Sequence, residues 1–99
     1  MRVRYSRRAL TQLDQIFSYI AKDNPTAAAG VVARIEALVA LLGRYPTIGR
    51  PTDKEDVRVM SVRRYPYVIF YRILQDQDEV RILRVRHTAR RPLISTPER

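Results

Sequence analysis

The stretch VRVMSVRRYPYVIFYRILQDQDEVRILRVRHTARR, residues 57–91, decides the fold of this chain. Three runs rich in β-branched and aromatic residues lie back to back in it, at 57–64, 67–74 and 79–87. Tyr65-Pro66 separates the first from the second, and Gln75-Asp76-Gln77-Asp78 the second from the third; both are turn chemistry. The pattern predicts an antiparallel meander. In the second run Tyr67, Ile69, Tyr71 and Ile73 share one face, and Val68, Phe70, Arg72 and Leu74 the other. Apolar residues on both faces predict a central strand. In the third run Arg81, Leu83, Val85 and His87 alternate with Val80, Ile82, Arg84 and Arg86. Strict alternation would again leave apolar residues on both faces, which predicts a bulge or twist and leaves the inward face open.

Upstream, the alternation at residues 3–5 predicts a short strand at a sheet edge. Ser6 offers an N-cap hydroxyl for a helix starting at Arg7. Leu10, Leu13, Ile16, Phe17 and Ile20 recur at helical spacing and form one apolar stripe. Asp23-Asn24-Pro25 ends that helix and starts a second, with Asn24 as N-cap and Pro25 at the first helical position. Ala28, Val31, Val32, Ile35, Leu38, Val39 and Leu42 form its stripe, and Gly43 reads as a left-handed stop. So short a connection makes the two helices an antiparallel hairpin, whose stripes need a third surface; the sheet supplies it. Pro46, Gly49 and Pro51 mark a bend-rich loop that continues into the acidic Asp53-Lys54-Glu55-Asp56. The fold class is therefore α+β: a short N-terminal strand, then an antiparallel helix hairpin packed on an antiparallel β-meander. Residues 1–99 form a single domain, with 88–99 expected to be an extended or disordered tail.

The formal charge is +9. Residues 1–56 hold nine basic and six acidic side chains, and residues 57–99 ten and four. Positive charge thus concentrates on the meander, which points to an anionic partner. All basic residues except Lys22 and Lys54 are arginine, whose flat fork suits carboxylate and phosphate. Cysteine is absent, which excludes disulfides and thiolate metal sites and favours a cytoplasmic location. The start Met1-Arg2-Val3-Arg4-Tyr5 lacks the apolar core of a signal peptide, and no apolar run is expected to be long enough to span a bilayer. No cofactor or metal is expected, and no membrane partner.

Several groups of residues, in order along nearly the whole chain, carry a family resemblance. They are Ala9 with Leu13 and Ile16 through Ile20-Ala21; Asn24-Pro25 with Ala27-Ala28; Pro46 with Gly49-Arg50-Pro51; Val57-Arg58; Tyr65-Pro66-Tyr67; Phe70-Tyr71-Arg72; and Ile82-Leu83-Arg84-Val85-Arg86-His87. In this set the chain resembles the ParE branch of the RelE/ParE superfamily of type II toxin–antitoxin toxins. The resemblance implies a helical hairpin on an antiparallel sheet and neutralisation by a cognate acidic antitoxin in a hetero-oligomeric complex. It also implies a target: bacterial DNA gyrase for ParE-like members, or mRNA in the ribosome for RelE-like ones.

RNA cleavage requires a base for the 2′-hydroxyl, cations on the phosphate and an acid at the leaving oxygen. Where interferase relatives place a carboxylate after the Gly-Arg-Pro turn, this chain has Thr52. Where they place an arginine before the second-strand tyrosine, it has Val68. Their first-strand lysines have no counterpart, and Thr88 and Ala89 stand where many have a final tyrosine. Only His87 matches an interferase residue, with Arg84 or Arg86 as the phosphate partner in that alternative reading. The leading expectation is a non-catalytic gyrase inhibitor whose antitoxin- or target-binding residues are Arg58, Arg63, Arg64, Arg72, Arg81, Arg84, Arg86 and His87. A binding module with little toxicity is the third possibility. Arg7 and Arg8, in a first helical turn whose dipole disfavours them, read as solvated. Tyr65-Pro66-Tyr67 reads as a turn proline between tyrosines at the core edge rather than a base-stacking platform.

Overall fold

A computed structural model describes residues 1–88. The elements in chain order are β1 (Arg2–Tyr5), α1 (Arg7–Ala21), α2 (Pro25–Arg44), β2 (Arg50–Pro51), β3 (Val57–Ser61), β4 (Tyr67–Leu74), a 3₁₀ turn (Gln75–Gln77) and β5 (Glu79–His87). The five strands form one sheet in the order β1-β5-β4-β3-β2. β2, β3, β4 and β5 pair antiparallel, and β4 lies at the centre as its two apolar faces require. β1 is an edge strand but runs parallel to β5, so the sheet is mixed. The tail expected at 88–99 lies outside the described residues from 89 onward. Thr88 itself donates its N–H to the Pro66 carbonyl at 2.8 Å.

The helix starts follow local chemistry. The Ser6 hydroxyl accepts from the Ala9 amide at 3.0 Å, and the Asn24 side chain accepts from the Ala27 amide at 3.0 Å. Both satisfy amide groups that a helix start leaves without a partner. The hairpin covers one face of the sheet. Ala9 and Leu13 from α1, and Val31, Ile35, Val39 and Leu42 from α2, meet Tyr67, Ile69, Tyr71 and Ile73 of β4 and Val80, Ile82 and Val85 of β5. Each aliphatic side chain buried as fully as Ile35 contributes about 1.5–3 kcal/mol. Val62 and Tyr67 join this core, so Tyr65-Pro66-Tyr67 does act as a turn against the core edge.

Four expectations need correction. Leu10 and Phe17 are exposed; the buried side of α1 runs instead through Ala9 and Leu13, with Ile16 and Ile20 packed against the core. Gly43 does not stop α2, which continues to Arg44, and no glycine among the described residues has positive φ. Gly43 is required by close packing, because a Cβ there would lie 2.8 Å from Val3 Cγ2 and 3.0 Å from the Met1 carbonyl. The first meander strand ends at Ser61 rather than residue 64. Finally, α2 is long and apolar enough, by length and composition, to cross a membrane. Its apolar stripe packs on the sheet, as the core helix of a folded domain does.

The expected irregularity in β5 is a bulge. Phe70 pairs with Arg84 and Tyr71 with Ile82, leaving Leu83 as the extra residue. The bulge resets the phase. Val80 and Ile82 before it, and Val85 and His87 after it, pair with Ile73, Tyr71, Ile69 and Tyr67 on the helix-covered face.

Candidate functional site

The register divides the proposed residues between two faces. Arg72, Arg84 and Arg86 lie on the outer face, opposite the helices, where they pair with Val57, Phe70 and Val68. Two guanidinium groups lie over the Phe70 ring, with Arg84 Cζ 4.9 Å and Arg86 Cζ 5.1 Å from its centroid. Each contact is a cation–π attraction that also fixes a flexible arginine in place. Arg81 shares this face but is engaged. It donates Nε–H to Glu79 at 2.9 Å, and its Nη2 lies 2.8 Å from the same carboxylate oxygen. Glu79 is 1% exposed and also has Arg2 at 3.8 Å.

His87 is elsewhere. It pairs with Tyr67 on the inner face, edge-on to that ring with centroids 5.2 Å apart. It lines an open groove of about 600 Å³ between α1 and β5, with Gln12, Gln15, Ile16, Tyr19, Tyr67 and Val85. Gln12 Oε1 accepts from the Val85 amide at 2.7 Å, standing in for the strand that would continue β1 along this edge. The alternative constellation of His87 with Arg84 or Arg86 is therefore not assembled: the sheet separates the base from both cations.

Arg58 is held by the loop before β2. It lies on the inner face, where Nη1 donates to the Gly49 carbonyl at 2.6 Å and the Thr47 carbonyl at 3.2 Å. There it works with Tyr71, whose buried hydroxyl accepts from the Gly49 amide at 2.9 Å and donates to the Pro46 carbonyl at 2.6 Å. Burial pushes the Tyr71 hydroxyl above its ordinary pKa, with the Gly49 amide and the Arg58 charge pulling the other way. Arg63 and Arg64 are exposed in the turn between β3 and β4, away from the outer-face strands, and Arg64 has φ 76°. Thr52, in place of an interferase carboxylate, organises its own loop. Its hydroxyl accepts from the Lys54 amide at 3.1 Å and donates to the Val57 carbonyl at 2.9 Å.

Two groups escape a reading from residue types. Arg8, read as solvated, lines an outer-face cleft with Lys54, Arg72 and Arg84. Gln12, Gln15 and Tyr19 line the groove. Their polar spacing along α1 is a signal for the second group; nothing local distinguishes Arg8 from Arg7.

Two helices on one face of a five-stranded mixed sheet, with a basic outer face, define a toxin-like domain of the RelE/ParE superfamily. The family model described as "ParE toxin of type II toxin-antitoxin system, parDE" matches residues 3–92. The chain is 48% identical over 86 residues to the Sinorhizobium fredii protein described as "Putative toxin Y4kP", covering 87% of this chain and 86% of that protein. The fold is similar to the chromosomal ParDE toxin–antitoxin system from P. aeruginosa, with TM-score 0.75 and 28% identity, covering 88% of this chain and 95% of that one. It is also similar to the isolated E. coli RelE toxin, with TM-score 0.69 and 14% identity over 93% of this chain and 88% of that one, a likeness of fold alone. The chain belongs to the ParE toxin family of type II toxin–antitoxin systems.

Proposed function

We propose that this toxin inhibits bacterial DNA gyrase in the cytoplasm by binding it as a protein, without catalysis, and that a cognate acidic antitoxin blocks it. The observation behind this reading is the separation of His87 from Arg84 and Arg86 by the sheet. Ribosome-dependent cleavage brings base and phosphate-binding cations to one scissile phosphate. Here the outer face carries Val68 and Ser61 beside its arginines, and the one histidine points away from them. Expression without antitoxin tests the reading. Loss of supercoiling with trapped gyrase–DNA breaks and intact message is the expected result. Codon-periodic mRNA cuts that disappear in His87→Ala would overturn it in favour of an interferase. No growth effect would point to a binding module.

In this reading the antitoxin lies along the hairpin–sheet junction. There the groove accepts apolar side chains against Ile16 and Val85, with Gln12, Gln15 and His87 as its polar rim. The similar P. aeruginosa structure is of a toxin–antitoxin system, which supports such a partner. Reversing charge at Arg63 and Arg64 together is expected to weaken the complex and flatten its salt dependence. Unchanged salt dependence would make both arginines bystanders.

A further inference from the structure

Arg8 sits in the first turn of α1, where positive charge opposes the helix dipole. Its position acquires a purpose on the outer face. It lines an open cleft of about 600 Å³ that Lys54 enters from the loop before β3, Arg72 from β4 and Arg84 from β5. Four cations from four parts of the chain converge there, against one carboxylate, Asp53. Among the described residues, the ion pairs on this face end on Glu79 and involve none of the four. Like charges gathered in a small cleft repel one another, and an anionic occupant relieves that repulsion. Beneath them the floor is apolar, made by Val57, Phe70 and Leu83.

We propose that this cleft is the docking site for an acidic, apolar-flanked peptide segment of the toxin's protein target. The proposal rests on the reading that the chain acts by binding protein, but not on gyrase being that protein. Carboxylates of the segment pair with the guanidinium forks, and their apolar neighbours settle on Val57 and Leu83. A single-stranded nucleic acid fits less well, because such strands are held by stacking bases on free aromatic faces. The aromatic ring lining this cleft is Phe70, and Arg84 and Arg86 already cover it. Those contacts hold the Arg84 donors in position before a partner arrives, which lowers the ordering cost of binding. Antitoxin bound in the α1–β5 groove contacts Val85 and His87, while the cleft takes Arg84 of the same strand, so the two occupants lie back to back across β5.

Fluorescence anisotropy on the full chain, freed of antitoxin, tests this with three labelled probes. They are a short peptide alternating Glu and Leu, the same peptide with Gln for Glu, and a single-stranded RNA of equal length. The Glu peptide is expected to bind best. The Arg8→Gln/Lys54→Gln double variant changes two exposed side chains and should melt like the parent. It is expected to bind the Glu peptide about tenfold more weakly, as two rim charges together allow. Asp53→Asn should bind it more tightly. Equal binding of the Glu and Gln peptides, RNA binding as tight as the Glu peptide, or a double variant that binds like the parent would overturn the proposal. The supercoiling assay separates it from the gyrase reading. A double variant that still inhibits gyrase fully removes the cleft as the target site and leaves that reading standing, even if antitoxin displaces the peptide. A parent chain that leaves gyrase untouched, yet binds the Glu peptide through Arg8 and Lys54, removes gyrase and leaves the cleft.

Discussion

The Ser6 hydroxyl donates to the carbonyl of Leu83, 2.9 Å away and 77 residues later in the chain. The same oxygen accepts from the Ala9 amide. One side chain therefore caps α1 and ties that cap to the bulge that sets the phase of β5. Ser6→Ala is expected to lower stability by about 1–2 kcal/mol, from the lost cap plus a bulge carbonyl without its donor. Ser6→Thr should retain most of it. Denaturant unfolding measures both; equal losses in the two variants would refute the dual role.

Tyr71→Phe removes two hydrogen bonds at a fully buried position and strands the Gly49 amide. A cost of about 1–3 kcal/mol is expected. The pH dependence follows from the direction of the shift. Burial raises the Tyr71 hydroxyl, and burial first with the Glu36 charge second raises Tyr5. A pKa raised on folding gives stability that is complete below the ordinary tyrosine value near 10 and is lost as pH climbs through the folded value. Stability should therefore fall above about pH 10, and fall less steeply in Tyr71→Phe. Parallel curves for the two proteins would contradict this.

The two glycines of α2 are expected to respond with opposite signs. At Gly30 the nearest atom a Cβ would meet is the Tyr65 hydroxyl at 3.9 Å, so Gly30→Ala should stabilise by up to about 1 kcal/mol through helix propensity. At Gly43 the Cβ would meet Val3 and the Met1 carbonyl within 3.0 Å, and the clash outweighs the same propensity gain. Gly43→Ala should destabilise by about 1 kcal/mol or more and strip hydrogen-exchange protection from β1 first.

Arg64 holds φ 76° in the β3–β4 turn, a left-handed conformation that costs a non-glycine residue about 1–2 kcal/mol. Arg64→Gly should leave stability unchanged or raise it by up to about 1 kcal/mol, since glycine also gains freedom in the unfolded chain. Arg64→Val should lower it. Thermal melts of the pair check the sign.

How much of the molecule is legible in its sequence depends on how local each cause is. The caps at Ser6 and Asn24, the proline at the start of α2 and the central place of β4 all follow from neighbours in sequence. Gly43 invites the wrong reading because its constraint comes from Val3 and Met1, distant in sequence from its own helix turn. The inward face of β5 stays open in the sequence because the bulge at Leu83 shifts its phase. The arginines are visible as a group, but their jobs are not. Glu79 holds Arg81, two loop carbonyls hold Arg58, and Arg72, Arg84 and Arg86 face outward. Arg8 looks idle because its place in the cleft depends on where β1 joins the sheet.

That junction also sets when the molecule can exist. β1 pairs with residues 79–82, so the first strand made during synthesis waits for the last one. Pairing across so much sequence closes late, because the loop entropy must be spent before the contact forms. α1, anchored to β5 through Ser6 and Gln12, waits with it. The groove and the cleft both need β5, so neither surface is present on a nascent chain that has not reached His87. Groove and cleft therefore take shape together, when β5 completes the sheet.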